Sequence, residues 1–151
     1  MIIKINNKEN KIAETILKAI NILFEKNYQI TEYNINKIHK KFHSESEKLL
    51  PNKNYVGLSI TQGNVYRKKE WPLDNVIKIS NKLLESNKIP VFFIKKENTQ
   101  LKNKISELIP AALFPEHESE LSGPALVVCL GKRLDFAISI DNGVMHMLSL
   151  S

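Results

Sequence analysis

Cysteine, arginine and long apolar runs are scarce in this chain of 151 residues. Cys129 is the single cysteine, so a disulfide framework is excluded and a reducing, cytoplasmic compartment is indicated. No apolar run has the length that a bilayer-spanning helix needs, which leaves at most a peripheral membrane association. His39, His43 and Glu47 share one helix stripe that could offer metal ligands, but lysines and serines surround them and favour a solvated face, so we expect neither a metal nor a cofactor.

The positive charge of the chain is almost entirely lysine. The formal net charge is +6, yet Arg67 and Arg133 are the only arginines and no block of five like charges occurs. Nucleic-acid-binding proteins usually cluster arginine with aromatic residues on one face. We therefore expect no nucleic-acid partner, and a basic nucleic-acid binder stays the weakest alternative.

The sequence changes character near residue 54. Residues 1–54 read as a helical segment and linker, with amphipathic helices over 11–26 and 34–49 and a chain break at "PNKN". From residue 55 strands and helices alternate, which predicts an α/β domain over 55–151: a Rossmann-like parallel sheet with helices on both faces. We expect strands over 55–61, 90–94, 112–116 and 135–140, and helices over 71–87, 98–109, 123–134 and from 142.

Polar residues follow three of the predicted strands, where ligands of parallel sheets bind. Thr61, Asn64 and Lys69 follow the first, Glu97 follows the second, and Asp141, Asn142, Gly143 and His146 follow the last. The last group suits a phosphate at a helix N-terminus. Taken alone, these residues are explained more simply by a helix cap, a packed or solvent-facing histidine, an exposed lysine and a first-turn acid, and that interpretation is favoured before any resemblance is considered. Glycine-rich phosphate loops of the known consensus forms do not occur.

Two stretches, "VGLSITQGNVYRKKEWPLDNVIKISNKLLESNKIPVFFI" and "DFAISIDNGVMHMLSL", together resemble the C-terminal half of glycosyltransferase family 9. This family contains the ADP-heptose:lipopolysaccharide heptosyltransferases. The resemblance covers about residues 55 to 151 and depends on a W-P helix start and an acid–polar–Gly-x-x-His turn. The matching residues are Lys69, Trp71, Pro72, Asp141, Asn142, Gly143, His146 and Ser149.

The resemblance implies the donor-binding domain of a GT-B enzyme that transfers a sugar with inversion from a nucleoside-diphosphate sugar, ADP-heptose-like, to lipopolysaccharide or another glycan. It implies that Thr61, Asn64 and Lys69 face the diphosphate and Glu97 the nucleoside, while Asp141, Asn142, Gly143 and His146 hold the diphosphate and sugar. The catalytic base and acceptor site belong to an N-terminal domain missing here, and the sheet domain is itself incomplete at its C-terminus. The chain alone is thus expected to be inactive, and a non-catalytic nucleotide- or partner-binding module is the alternative.

Overall fold

The computed structural model of the chain describes residues 12–29, 34–62 and 70–151. These residues fall into two compact units, divided between Asn34 and Ile35. The first unit contains helix α1 (Ile12–Phe24), which confirms the predicted amphipathic helix. Several members of its apolar stripe are exposed, among them Leu23 and Phe24.

The second unit contains the predicted alternation of strands and helices. Its elements are a 3-10 helix (Ile35–Lys37), α2 (Lys40–Leu49), β1 (Tyr55–Ser59), α3 (Leu73–Glu85), β2 (Ile89–Phe92), α4 (Thr99–Leu108), α5 (Pro115–Glu118), α6 (Pro124–Gly131), β3 (Leu134–Ser139) and α7 (Gly143–Leu148). The predicted strand over 112–116 is wrong except at one residue, Leu113, which forms an isolated parallel bridge with Val91. Pro115 begins the short helix α5 instead, because proline suits the first turn of a helix.

The three strands form one open, all-parallel sheet in the order β2-β1-β3. In its register Gly57 lies opposite Val91 of β2 and Ala137 of β3. The sheet is flanked by helices, so the α/β class is confirmed, and the arrangement is consistent with a Rossmann-like fold.

Each face of the sheet carries its own apolar core. One core joins Val56 and Leu58 of β1 to residues of α3 and α4. The other joins Tyr55 of β1 to residues of α2, α6 and α7. Because β1 contributes to both cores, all five of its residues are buried.

Helix α2 and the "PNKN" segment belong to the sheet unit. Leu50, directly after α2, is fully buried in the same core as α6. Arg133 holds the following turn, because its Nε donates to the Leu50 carbonyl and its Nη2 to the Pro51 carbonyl, both at 3.0 Å. The division between the compact units therefore lies ahead of α2, whereas the sequence pattern placed a boundary near residue 54.

Candidate functional site

The carboxyl ends of β1 and β3 flank a topological switch point. The chain leaves β1 for α3, which packs on one face of the sheet through Val76 and Leu83. It leaves β3 for α7, which packs on the opposite face through Val144 and Met147. Neighbouring parallel strands whose connections run to opposite faces leave a crevice between their carboxyl ends, and ligands of open α/β sheets bind there.

Asn142 connects the two strands across this crevice. It is the N-cap of α7, and its Oδ1 accepts a hydrogen bond from the Met145 backbone N–H at 2.9 Å. Its Nδ2 donates to Ser59 Oγ and to the Thr61 carbonyl, each at 2.8 Å. Both amide hydrogens and the amide oxygen are therefore used within the protein, so Asn142 positions the crevice instead of offering a free side chain to a ligand.

The residues around Asn142 present their atoms outward. Asp141, Gly143 and His146 are all exposed. An added Cβ on Gly143 would meet no atom within 4 Å, so a ligand can approach the backbone at the start of α7. His146 follows Asn142 by four residues, one helical turn, which places it on the same side of α7. The structure thus brings three of the predicted site residues together around the fourth.

Thr61 lies where β1 ends and contributes its carbonyl to the bond with Asn142. It is half-buried, as expected for a residue at the bottom of a crevice between two strands. The predicted site residues Asn64 and Lys69 lie outside the described residues.

A second polar group lies at the carboxyl end of β2. Burial raises the pKa of Glu116 on α5, and the charge of Glu97 raises it further, while Lys95 and Lys96 lower it. Glu97 itself is exposed. The predicted residue Glu97 therefore lies close enough to Glu116 for its charge to affect the pKa of Glu116.

Polar bonds connect the end of α5 to the segment after β2 and to α2. Lys96 Nζ donates to the carbonyl of Ser119, the residue that ends α5, and Ser119 Oγ donates to Glu45 Oε1 at 2.7 Å. The sequence "PEHESE" reads as a polar loop, and that reading missed Glu116. The signal was Pro115 followed directly by an acid, which is typical of a helix start.

The two polar groups follow the two outer strands of the sheet. Glu97 follows β2 and Asn142 follows β3, with β1 between them. The axes of β2 and β3 are two interstrand spacings apart, which is about 10 Å. An elongated polar ligand lying across the carboxyl end of the sheet can therefore contact both groups.

The buried thiol does not add a reactive centre. Cys129 Sγ lies 3.6 Å from His43 Nδ1, but the cysteine is only 1% exposed. Burial raises its pKa, against a smaller lowering by Lys132, so the thiolate is disfavoured. This environment suits a thiol that serves only in packing.

Two kinds of feature are absent from residues 12–29, 34–62 and 70–151. Nowhere in these ranges do three or more histidine, cysteine or acidic side chains form a group suited to a metal ion. None of the helices in the same ranges is long and apolar enough to cross a membrane.

No protein-family model, curated protein or solved structure matches the chain. The resemblance to glycosyltransferase family 9 therefore depends on the two sequence motifs alone.

Proposed function

We propose that the chain is a donor-binding domain of an inverting GT-B glycosyltransferase, and that the crevice between β1 and β3 holds the diphosphate of a nucleoside-diphosphate sugar. The observation that supports the proposal most strongly is that the Asn142 side chain connects the start of α7 to the end of β1. The two hydrogen bonds from its Nδ2 fix the start of α7 against the end of β1 at the topological switch point, while its Oδ1 caps α7. The crevice is thereby preorganised, as a site for a charged ligand must be.

Each predicted residue has a distinct task in this proposal. The backbone at Gly143 and the ring of His146 donate to phosphate oxygens at the positive end of α7. Asp141 accepts from sugar hydroxyls and Glu97 from ribose hydroxyls. Glu97 and the turn before α7 follow the two outer strands of the sheet, so a nucleoside diphosphate that contacts both lies across the carboxyl end of β1.

Donor cleavage builds negative charge on the departing diphosphate. Donors aimed at those oxygens stabilise the transition state, and Lys69 adds a mobile positive charge in this proposal. Deprotonation of the acceptor hydroxyl needs a base, which the proposal assigns to a separate acceptor domain. The isolated chain is thus expected to bind the donor without transferring its sugar to a lipopolysaccharide or other glycan.

Calorimetric titration of the chain with ADP, UDP, GDP and ADP-heptose tests the proposal. We expect saturable binding of a nucleoside diphosphate, weakened roughly ten-fold by His146→Ala or Lys69→Ala, because each removes a charge-assisted hydrogen bond. Lys82→Ala is the matched control, since Lys82 is an exposed lysine in the last turn of α3, at the opposite end of the sheet. If wild-type chain binds none of the four ligands, the proposal is wrong.

A further inference from the structure

One long edge of β3 is open. Within the described ranges β3 pairs with β1 alone. Asp135, Phe136 and Ala137 are exposed along it, and the Phe136 ring is 48% exposed. These residues, with Lys132, Leu148 and Ser151, line a groove of about 300 Å³ beside the strand. An exposed strand edge carrying an aromatic side chain is a template for pairing with another strand.

The hydrogen bonds to β1 determine which backbone groups face this edge. The Ile140 N–H donates to the Ser59 carbonyl of β1 at 3.1 Å. In a parallel strand the two backbone groups of one residue point to the same side, and alternate residues point to opposite sides. The groups of Phe136 and Ile138 therefore face β1, and those of Ala137 and Ser139 face the open edge.

We propose that a second copy of this chain pairs with the open edge, β3 against β3, antiparallel about a two-fold axis at Ala137. In this register the outward N–H and C=O of Ala137 bond to the same groups of the other Ala137. Phe136 lies directly opposite Ile138 of the other copy. The exposed ring then packs against an apolar partner at a non-hydrogen-bonded position, where side chains approach most closely.

The charges at the two ends of β3 favour the antiparallel direction. Lys132 precedes the strand and Asp141 follows it, while the Arg133 guanidinium is bonded to the turn after α2. Antiparallel pairing places the basic end of each copy beside the acidic end of the other. Parallel pairing would place like charges together, which is destabilising. The strand is therefore self-complementary in charge as well as in its apolar pair.

An irregularity in β3 limits the length of the interface. The register between β1 and β3 shifts between Tyr55 and Val56, which leaves Asp135 as an extra residue in β3. Asp135 also pairs with Lys88 of its own chain. Bulges and inward-held charges shorten the usable edge of a sheet. We therefore expect a reversible dimer whose population rises with protein concentration.

Sedimentation velocity over a broad series of concentrations tests the dimer. Wild-type chain should shift from monomer to dimer, and Phe136→Lys should stay monomeric because it places a charge opposite Ile138. Ala137→Pro should also stay monomeric, since proline removes only an outward N–H and is tolerated on an edge strand. Leu108→Lys is the control, because Leu108 on α4 is 47% exposed and lies away from β3. Circular dichroism establishes that each variant is folded.

Oxidative cross-linking tests the register. A two-fold axis at Ala137 places the two Cα atoms about 5.5 Å apart, within reach of a disulfide. Ala137→Cys should cross-link, while Ser139→Cys, displaced along the strand, should not. Wild-type chain serves as the background, since its Cys129 is buried. A wild-type chain that stays monomeric, or a dimer that Phe136→Lys leaves intact, overturns the proposal, and cross-linking through Ser139→Cys alone overturns the register.

Discussion

β1 and β3 are neighbours in one sheet with similarly apolar sequences, yet their environments differ. "YVGLS" in β1 is buried at every residue, whereas "LDFAIS" in β3 has three exposed residues and no fully buried one. β1 has a strand on each side and a core on each face, while among the described residues β3 has a strand on one side only. An apolar pattern thus predicts that a segment is a strand, and the position in the sheet decides how deeply it is buried.

The largest expected effect comes from truncating a buried residue of β1. Leu58 is fully buried, so Leu58→Ala should lower the free energy of unfolding by about 2–5 kcal/mol through lost burial and a cavity. Phe136→Ala removes a larger side chain from β3, yet should cost less than about 1 kcal/mol because the ring is half exposed. Urea denaturation at a low protein concentration measures both. Equal costs would contradict the difference between the two strands.

A medium effect is expected where the two strands are connected. Asn142→Ala removes the N-cap and the bonds to Ser59 and Thr61, and should cost about 1–2 kcal/mol. Asn142→Asp keeps the acceptor for the Met145 N–H and loses the two donors, so its stability should fall between those of wild type and Asn142→Ala. Thermal denaturation ranks the three proteins. If Asn142→Asp is as stable as wild type, the bonds across the crevice contribute nothing.

The smallest expected effect concerns the end of β2. Burial and the charge of Glu97 raise the pKa of Glu116, so the folded chain binds this proton more tightly than the unfolded chain. The resulting stability is complete below the unfolded-state pKa and is lost as pH rises through the folded-state pKa. Glu116→Gln should therefore raise the melting temperature at neutral pH and change it little in acid.

The control for this substitution is Glu118→Gln, on the exposed side of the same short helix α5. It should leave the difference in melting temperature between neutral and acidic solution unchanged. A neutral-pH melting temperature lowered by Glu116→Gln would contradict the assigned cause of the pKa shift.

Most of the fold was predictable because each element is decided locally. The apolar spacing of α3 and α4, and the continuous apolar run of β2, each match the observed element within a few residues. The segment around Leu113 was not predictable in this way, because Pro115 ends the extended stretch after a single bridge. The grouping of α2 with the sheet depends on long-range contacts, the packing of Leu50 in the core of α6 and the bonds of Arg133, which no local pattern reveals.

The positions of the candidate residues in the fold were predictable, and their contacts were less so. The rule that ligands bind beyond the carboxyl ends of parallel strands selects Thr61, Glu97 and the turn after β3. The Asn142 side chain donates to Ser59 because β1 and β3 are neighbours in the folded sheet. Sequence spacing does not reveal that contact. The proximity of Glu116 to Glu97 is likewise a property of the folded chain.

Amide chemical-shift mapping of the isotope-labelled chain during titration with ADP tests the proposed donor site most directly. Binding in the crevice predicts saturable shifts at Thr61 and at residues 141–146, with smaller shifts at Glu97 and none at the open edge around Ala137. His146→Ala should require a higher ADP concentration for the same shifts. An absence of shifts in the crevice at saturating ADP, or shifts confined to other parts of the sheet, would contradict the assignment of the crevice between β1 and β3 as the diphosphate site.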